Sequence, residues 1–258
     1  MIKKQPVLFI AHGSPMNAII ENSYSKSLNK LGEELDKPKA IMIISAHWYI
    51  NNTFLTKQDS PKEIYDFYGF PEELYKVKYS TSGAKPYINL AFEELKNYDV
   101  KLTDTWGLDH GGWSVLKHIF PKADIPVFEL SLNALEKEEY HYNLGKKLSK
   151  LREQGILILA SGNIVHNIGK MKYNEEDKPY KWALDFDNFV RDSIINDEHD
   201  KLINYKDFGQ DALASVPTNE HFLPLLYVLA LKEDDDKVEF IFDEIHHGSL
   251  SMRSIKIG

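Results

Sequence analysis

The sequence predicts an α/β fold, a single-domain three-layer sandwich around a central sheet that is mostly parallel or mixed. Three observations carry this expectation. The runs at 7–11, 40–46 and 156–161 are continuously apolar or small and free of turn formers, as strands buried on both faces require. Stretches with apolar residues at helical spacing separate them, and that alternation favours layered α/β over a bundle or a sandwich of sheets. Each run also leads into an imidazole: His12, His47, and His166 in the turn after the third strand. Ligands of open α/β sheets bind in the crevice beyond the strand ends, so a site is expected there, shared by all three histidines if the strands are parallel.

In order along the chain, the first strand stops at His12-Gly13-Ser14-Pro15, a turn sequence. A helix should start at Ser23 as N-cap, bury Leu28, Leu31 and Leu35, and end before Pro38. The second strand finishes on His47, with Trp48 and Tyr49 beyond it, and residues 53–56 read as an antiparallel neighbour. Residues 59–71 are loop-like but unusually aromatic, with Tyr65, Phe67, Tyr68 and Phe70 either folded on one another or walling a pocket for a flat apolar ligand. Residues 84–98 read as a helix opening at Pro86, and 101–105 as a short strand. The stretch 106–113 reads as a loop, because Gly107, Gly111 and Gly112 cost backbone entropy in regular structure. A short helix follows over 114–120, on which His118 packs or faces solvent; 126–132 reads as an alternating strand and 136–152 as a helix. Trp182, Phe186, Phe189, Val190 and Ile194 mark the buried stripe of a long helix, and a shorter helix lies around 207–214. Thr218 or Asn219 should cap a further helix, which puts Glu220 and His221 in or just before its first turn. Strands at 238–242 and 254–257 close the chain, and no repeat or linker divides 1–258.

Composition narrows the chemistry. A chain of 258 residues, 43% hydrophobic and 27% charged, can bury a large core unaided. The absence of cysteine excludes disulfides, thiolate metal sites and cysteine nucleophiles, so any metal must be held by histidine, carboxylate or water. A net charge of -8 argues against nucleic acid as a partner. The apolar run behind Lys3 and Lys4 is too short for a signal peptide, and no stretch has membrane length, so a cytoplasmic location without membrane contact is expected. Ser14, Ser45 and Ser161 lie at strand ends but outside any nucleophile elbow, and Gly13 and Gly162 belong to no nucleotide-binding pattern. Imidazoles converging without cysteine suit a non-haem divalent metal with open coordination positions; iron(II), zinc and manganese all remain, and Glu220 beside His221 admits either as a ligand.

An ordered set of motifs adds to this reading. Ala11-His12-Gly13-Ser14-Pro15, Ser45-Ala46-His47-Trp48, Gly107-Leu108-Asp109-His110-Gly111, Ser161-Gly162-Asn163-Ile164-Val165-His166-Asn167, Glu220-His221-Phe222-Leu223-Pro224-Leu225 and Gly248-Ser249-Leu250-Ser251-Met252-Arg253-Ser254 together span almost the whole chain. The set resembles the class III, LigB-like extradiol ring-cleavage dioxygenases, most of all the branch called 4,5-DOPA dioxygenase extradiol. That resemblance implies one catalytic domain that opens a catechol ring with O2 to a semialdehyde, using Fe(II), with Zn(II) a competing occupant. By position it assigns metal binding to His12, His47 and His221, with Glu220 as rival to His221. It makes His166 the general base or a further metal contact, and His110 a second acid–base group. His246 and His247 stand at a variable pocket edge or as solvated strand residues. The partners implied are a small catechol and O2, and a homo-oligomer stays open. The same scaffold also resembles Memo-type metal-binding interaction proteins, and a zinc-dependent hydrolase would draw on similar ligands.

Overall fold

The computed structural model describes residues 3–258. Its elements are β1 (Val7–Ala11), α1 (Ser23–Glu34), β2 (Ala40–Ile50), β3 (Phe54–Thr56), α2 (Glu72–Tyr75), α3 (Lys85–Glu94), β4 (Lys101–Thr103), α4 (His110–Ile119), β5 (Val127–Asn133), α5 (Glu138–Lys146) and α6 (Ser149–Glu153). There follow β6 (Ile156–Gly162), α7 (Lys181–Ile195), α8 (His199–Ile203), α9 (Gln210–Ser215), α10 (Leu223–Ala230), β7 (Val238–Phe242), β8 (Ile245–His246), β9 (Leu250–Ser251) and β10 (Ser254–Ile257).

Eight strands form one mixed sheet in the order β4-β3-β5-β2-β6-β1-β10-β7. Its centre is parallel: β6 pairs in parallel with β1 and with β2, and β2 with β5, whereas β3 and β10 join antiparallel. Alternation along each strand sends Val7, Phe9, Met42, Ile44, Ile158 and Ala160 into one apolar layer and Leu8, Ile10, Ile41, Ile43, Leu157 and Leu159 into the other. Helices α3, α5, α7 and α10 cover the first layer, and α1 and α4 the second. With both faces covered, the central strands carry no polar alternation, which is why they read as unbroken apolar runs. Ala11 pairs with Gly162 and Ser45 with Ser161, so β1 and β6 end level with each other beside the point where β2 runs on toward His47. That register brings His12, His47 and the turn carrying His166 to one edge.

Several local expectations are corrected. The N-cap of α1 is Asn22, which forms a reciprocal capping box with Ser25. His47 lies inside β2 rather than at its end, because a register shift between Ile44 and Tyr49 lets the strand continue past the site. His110, Gly111 and Gly112 are the first turn of α4 and not a loop, since the Asp109 carboxylate caps that turn by accepting from the Gly112 N–H. A Cβ on Gly111 would lie 2.5 Å from Ser45 Oγ, so the glycine allows α4 to approach β2 closely. The helix expected over 136–152 is two helices, and every residue of β5 is buried, without the alternation read from its sequence. Neither Thr218 nor Asn219 supplies a side-chain cap to α10, which starts at Leu223, so Glu220 and His221 precede it.

The C-terminal turn is clamped from α7. Asp187 accepts from Arg253 Nε at 3.1 and 3.2 Å, from Arg253 Nη2 at 2.5 Å and from Ser251 Oγ at 2.6 Å, with both charged groups almost fully buried. Ser251 in turn donates its N–H to Val165 O, next to His166. Removing one partner of a buried pair strands the other charge, so Asp187→Ala should lower unfolding free energy by roughly 3–5 kcal/mol in urea titrations. A loss under 1 kcal/mol would show that the pair is not the clamp.

Candidate metal centre

Five imidazoles gather at this edge of the sheet. His12 lies 4.9 Å from His47, 5.4 Å from His110 and 5.2 Å from His221 between ring centroids. His47 and His110 are 3.9 Å apart, and His166 stacks on His221 at 3.5 Å with the planes 8° apart. Side-chain nitrogens of His12, His47 and His221 all lie within 4.8 Å of one another.

Four of these rings are anchored through Nδ1. His12 Nδ1 shares a hydrogen bond with Ser161 Oγ at 2.9 Å. His47 Nδ1 meets Asp66 Oδ2 at 2.9 Å, His110 Nδ1 meets Asp66 Oδ1 at 2.8 Å, and His221 Nδ1 meets Glu220 Oε1 at 3.0 Å. An ionised carboxylate only accepts, so the imidazoles of His47, His110 and His221 donate from Nδ1 and, when neutral, keep the Nε2 lone pair free. Those lone pairs converge. His12 Nε2 and His47 Nε2 face each other at 3.1 Å, close to the separation of two nitrogens bound at roughly 2.0–2.1 Å to one ion and subtending about 100°. His221 Nε2 is buried and has no hydrogen-bond partner among the described residues. The donor set therefore fits a divalent ion held by nitrogen, with carboxylates behind the ligands orienting them.

Charge follows the same logic. Burial, reinforced by its four histidine neighbours, holds His12 well below the ordinary imidazole range. Burial and the imidazoles of His166, His47 and His110 do the same to His221. Burial brings His166 down to about 4, with His47 and His110 adding to the effect and Glu220 opposing it. Burial also lowers His110. His47 is the exception: burial would lower it too, but the Asp66 hydrogen bond and the charges of Asp109, Asp66 and Glu220 prevail and raise it. Burial would push the Asp66 carboxyl up, yet hydrogen bonds from His110 and His47 hold it far below the usual carboxylate range. Without metal, His47 is thus the ring of this cluster that most readily takes a proton, and its Nε2–H can then donate to His12 Nε2.

The remaining sequence candidates fall around this cluster. Glu220 sits behind His221 and also accepts from Thr218 Oγ1 at 2.9 Å. His166 is tethered by its N–H to Ser215 O and by a bridge to Leu250. His118 donates from Nε2 to Asn17 O at 2.8 Å, a packing role. His246 lies between Glu175 and Glu244, and His246 and His247 line a cavity of about 230 Å³ with Ser14 and Leu250. From the aromatic segment, Phe67 sets its ring edge-on to His110 at 5.4 Å while Tyr65 packs on Trp113, so the segment is both self-packed and part of the wall. Sequence reasoning missed Asp66, Asp109 and Glu129. Glu129, a lone carboxyl in an apolar strand, and Asp109, a cap residue before two glycines, each left a signal; Asp66 left none beyond its aromatic neighbours.

Residues 5–255 match the family described as the catalytic LigB subunit of aromatic ring-opening dioxygenase. A protein of Escherichia coli K12 named 4,5-DOPA dioxygenase extradiol is 40% identical over 99% of this chain and 95% of its own length. One of the same name from Beta vulgaris is 34% identical over 96% and 94%. The crystal structure of an uncharacterized protein from Escherichia coli K12 superposes with a TM-score of 0.87 at 37% identity, covering 98% of this chain and 100% of that one.

Because burial holds two of the three converging rings, His12 and His221, neutral while His47 is raised, metal uptake on the acid side of neutrality should displace close to one proton. Zinc titration calorimetry in two buffers of different ionisation enthalpy measures this. Affinity should fall as pH drops through the His47 value, which lies above the ordinary imidazole one, with a slope near one proton per pH unit; release of about three protons would contradict the assigned charge states.

Proposed function

The chain belongs to the LigB family of aromatic ring-opening dioxygenases, and on that footing we propose that it cleaves a DOPA-like catechol at the imidazole cluster with Fe(II) as the working ion. It is an extradiol ring-cleaving dioxygenase and metal-dependent. The observation that carries the proposal is the convergence of three anchored imidazoles on one point: the facing Nε2 atoms of His12 and His47 at 3.1 Å and the partnerless Nε2 of His221.

In this reading His12, His47 and His221 hold the ion, and Glu220 supports His221 from behind rather than replacing it. The bound ion supplies Lewis acidity toward the catechol hydroxyls and a template on which ring and O2 meet. His166, neutral at working pH because burial depresses it, is free to take a hydroxyl proton as substrate binds. His110, tied at Nδ1 to Asp66, presents Nε2 as the second site for a proton. Phe67, edge-on to His110, gives an aromatic ring a surface to pack on. His166 lies with Glu220 and His221 in a second close group, which supports a further metal contact as its alternative role. Zn(II) binds such nitrogens tightly and is the expected occupant after purification in air. We assign residues 1–258 to one catalytic domain acting in the cytoplasm; among the described residues no helix is long and apolar enough to cross a membrane. An interaction module or a zinc hydrolase on this scaffold has less support, since the relatives are named as dioxygenases.

Loading with Fe(II) under anaerobic conditions, then adding DOPA or another catechol with O2, should give oxygen uptake and a yellow ring-opened semialdehyde. Bound iron with no product across a catechol panel would overturn the proposal. His166→Ala should retain the metal while kcat falls by about 10²–10⁴-fold; loss of metal with it would instead make His166 a ligand. His12→Ala should leave a folded chain that no longer holds the ion, read by metal analysis beside a thermal melt.

A further inference from the structure

We propose that Asp66 is a positioning residue that sets, with one carboxylate, the tautomers of the metal-binding His47 and of His110; the inference rests on the assignment of His47 to the ion. The two carboxylate oxygens are divided between the rings. Oδ2 accepts from His47 Nδ1 at 2.9 Å, while Oδ1 accepts from His110 Nδ1 at 2.8 Å and from the His110 backbone N–H at 3.2 Å. Three donors thus meet one acceptor-only group, and no other residue type offers two acceptors in that geometry from so short a side chain. With both Nδ1–H groups engaged, both Nε2 atoms turn toward the centre of the cluster. Asp66 arrives on an irregular segment, held by Phe67 against Phe70 and Tyr75 and by Tyr65 against Trp113. The ligand state of His47 therefore depends on a side chain delivered from outside the sheet that carries His47.

The contacts predict the outcome of an isosteric change. In Asp66→Asn the amide oxygen is favoured at the Oδ1 position, where two donors of His110 require an acceptor, which leaves the amide NH2 facing His47 Nδ1. Two donors then oppose each other, and His47 relieves the clash by moving its proton to Nε2, where it blocks the ion. Asp66→Ala removes the carboxylate without imposing a donor, and water can accept from Nδ1. Zinc affinity, measured by chelator competition, should fall about 10–100-fold in Asp66→Asn and by less in Asp66→Ala, an order opposite to that expected if Asp66 only anchored its segment. Long-range ¹H–¹⁵N spectra of the metal-free protein at pH 8.5 should show His47 protonated at Nδ1 in the parent and at Nε2 in Asp66→Asn. Equal or reversed zinc affinities of the two variants would overturn the proposal. Should Asp66→Asn fail to fold, a parent His47 carrying its proton at Nε2 would overturn it equally. The affinity order does not depend on turnover: absence of catechol cleavage with this order intact counts against the function alone, and cleavage with the order reversed counts against the role of Asp66.

Discussion

The hydrogen bonds at Nδ1 are the constraint on which this centre depends. An imidazole can offer its lone pair from either nitrogen, and a cluster of such rings would ordinarily satisfy itself by ring-to-ring hydrogen bonds. Here Ser161, Asp66 and Glu220 occupy Nδ1 of His12, His47 and His221, so the nitrogens that remain are the ones that converge. The one ring-to-ring contact left among them, His47 with His12, joins the atoms an ion would separate from their shared proton.

Holding those rings in place falls to the backbone. Parallel pairing of β6 with both β1 and β2 fixes the heights of His12 and His47, but His221 comes from the distant turn before α10 and must be docked against the same edge. Gly162 makes this possible: a Cβ there would lie 2.2 Å from the His221 carbonyl oxygen, which instead accepts from the Asn163 N–H at 2.9 Å. Asn163 Nδ2 donates to Ser251 O at 2.8 Å and so ties the C-terminal turn to the same point. Function and packing meet at these residues, because the turn that seats His221 also positions the strand partner of His166.

The parts of this arrangement that were legible in the sequence are those set by local pattern. Fully buried strands have to be apolar throughout, so a histidine at the end of one stands out, and His12, His47 and His166 could be gathered once parallel pairing was assumed. The first turn of α4 was hidden because glycine content argues for a loop; close packing on β2 and the Asp109 cap outweigh the entropy cost there. Asp66 was hidden for a different reason. Its importance comes from contacts with residues far away in sequence, and neither periodicity nor spacing encodes which loop carboxylate will reach a given ring.

The same long-range contacts settle the electrostatics. In the proposed centre, three neutral imidazoles around a divalent ion would leave two positive charges in a buried place, an arrangement water would normally have to stabilise. Asp66 and Glu220 bring one negative charge each, one hydrogen bond removed from the proposed ligands, so the loaded centre would approach neutrality without a carboxylate taking a coordination position. Behind them lie two further carboxyls that could overshoot this balance. Burial pushes Asp109 up to about 6 and Glu129 well above its ordinary value, with the Asp109 charge adding to the effect, so both resist ionisation. Glu129 still accepts from the Asp109 N–H at 3.1 Å and from Trp106 Nε1 at 2.9 Å. It therefore supports the start of the helix bearing His110. In the proposed centre, compensating charge from behind the ligands would leave coordination positions open to substrate and O2.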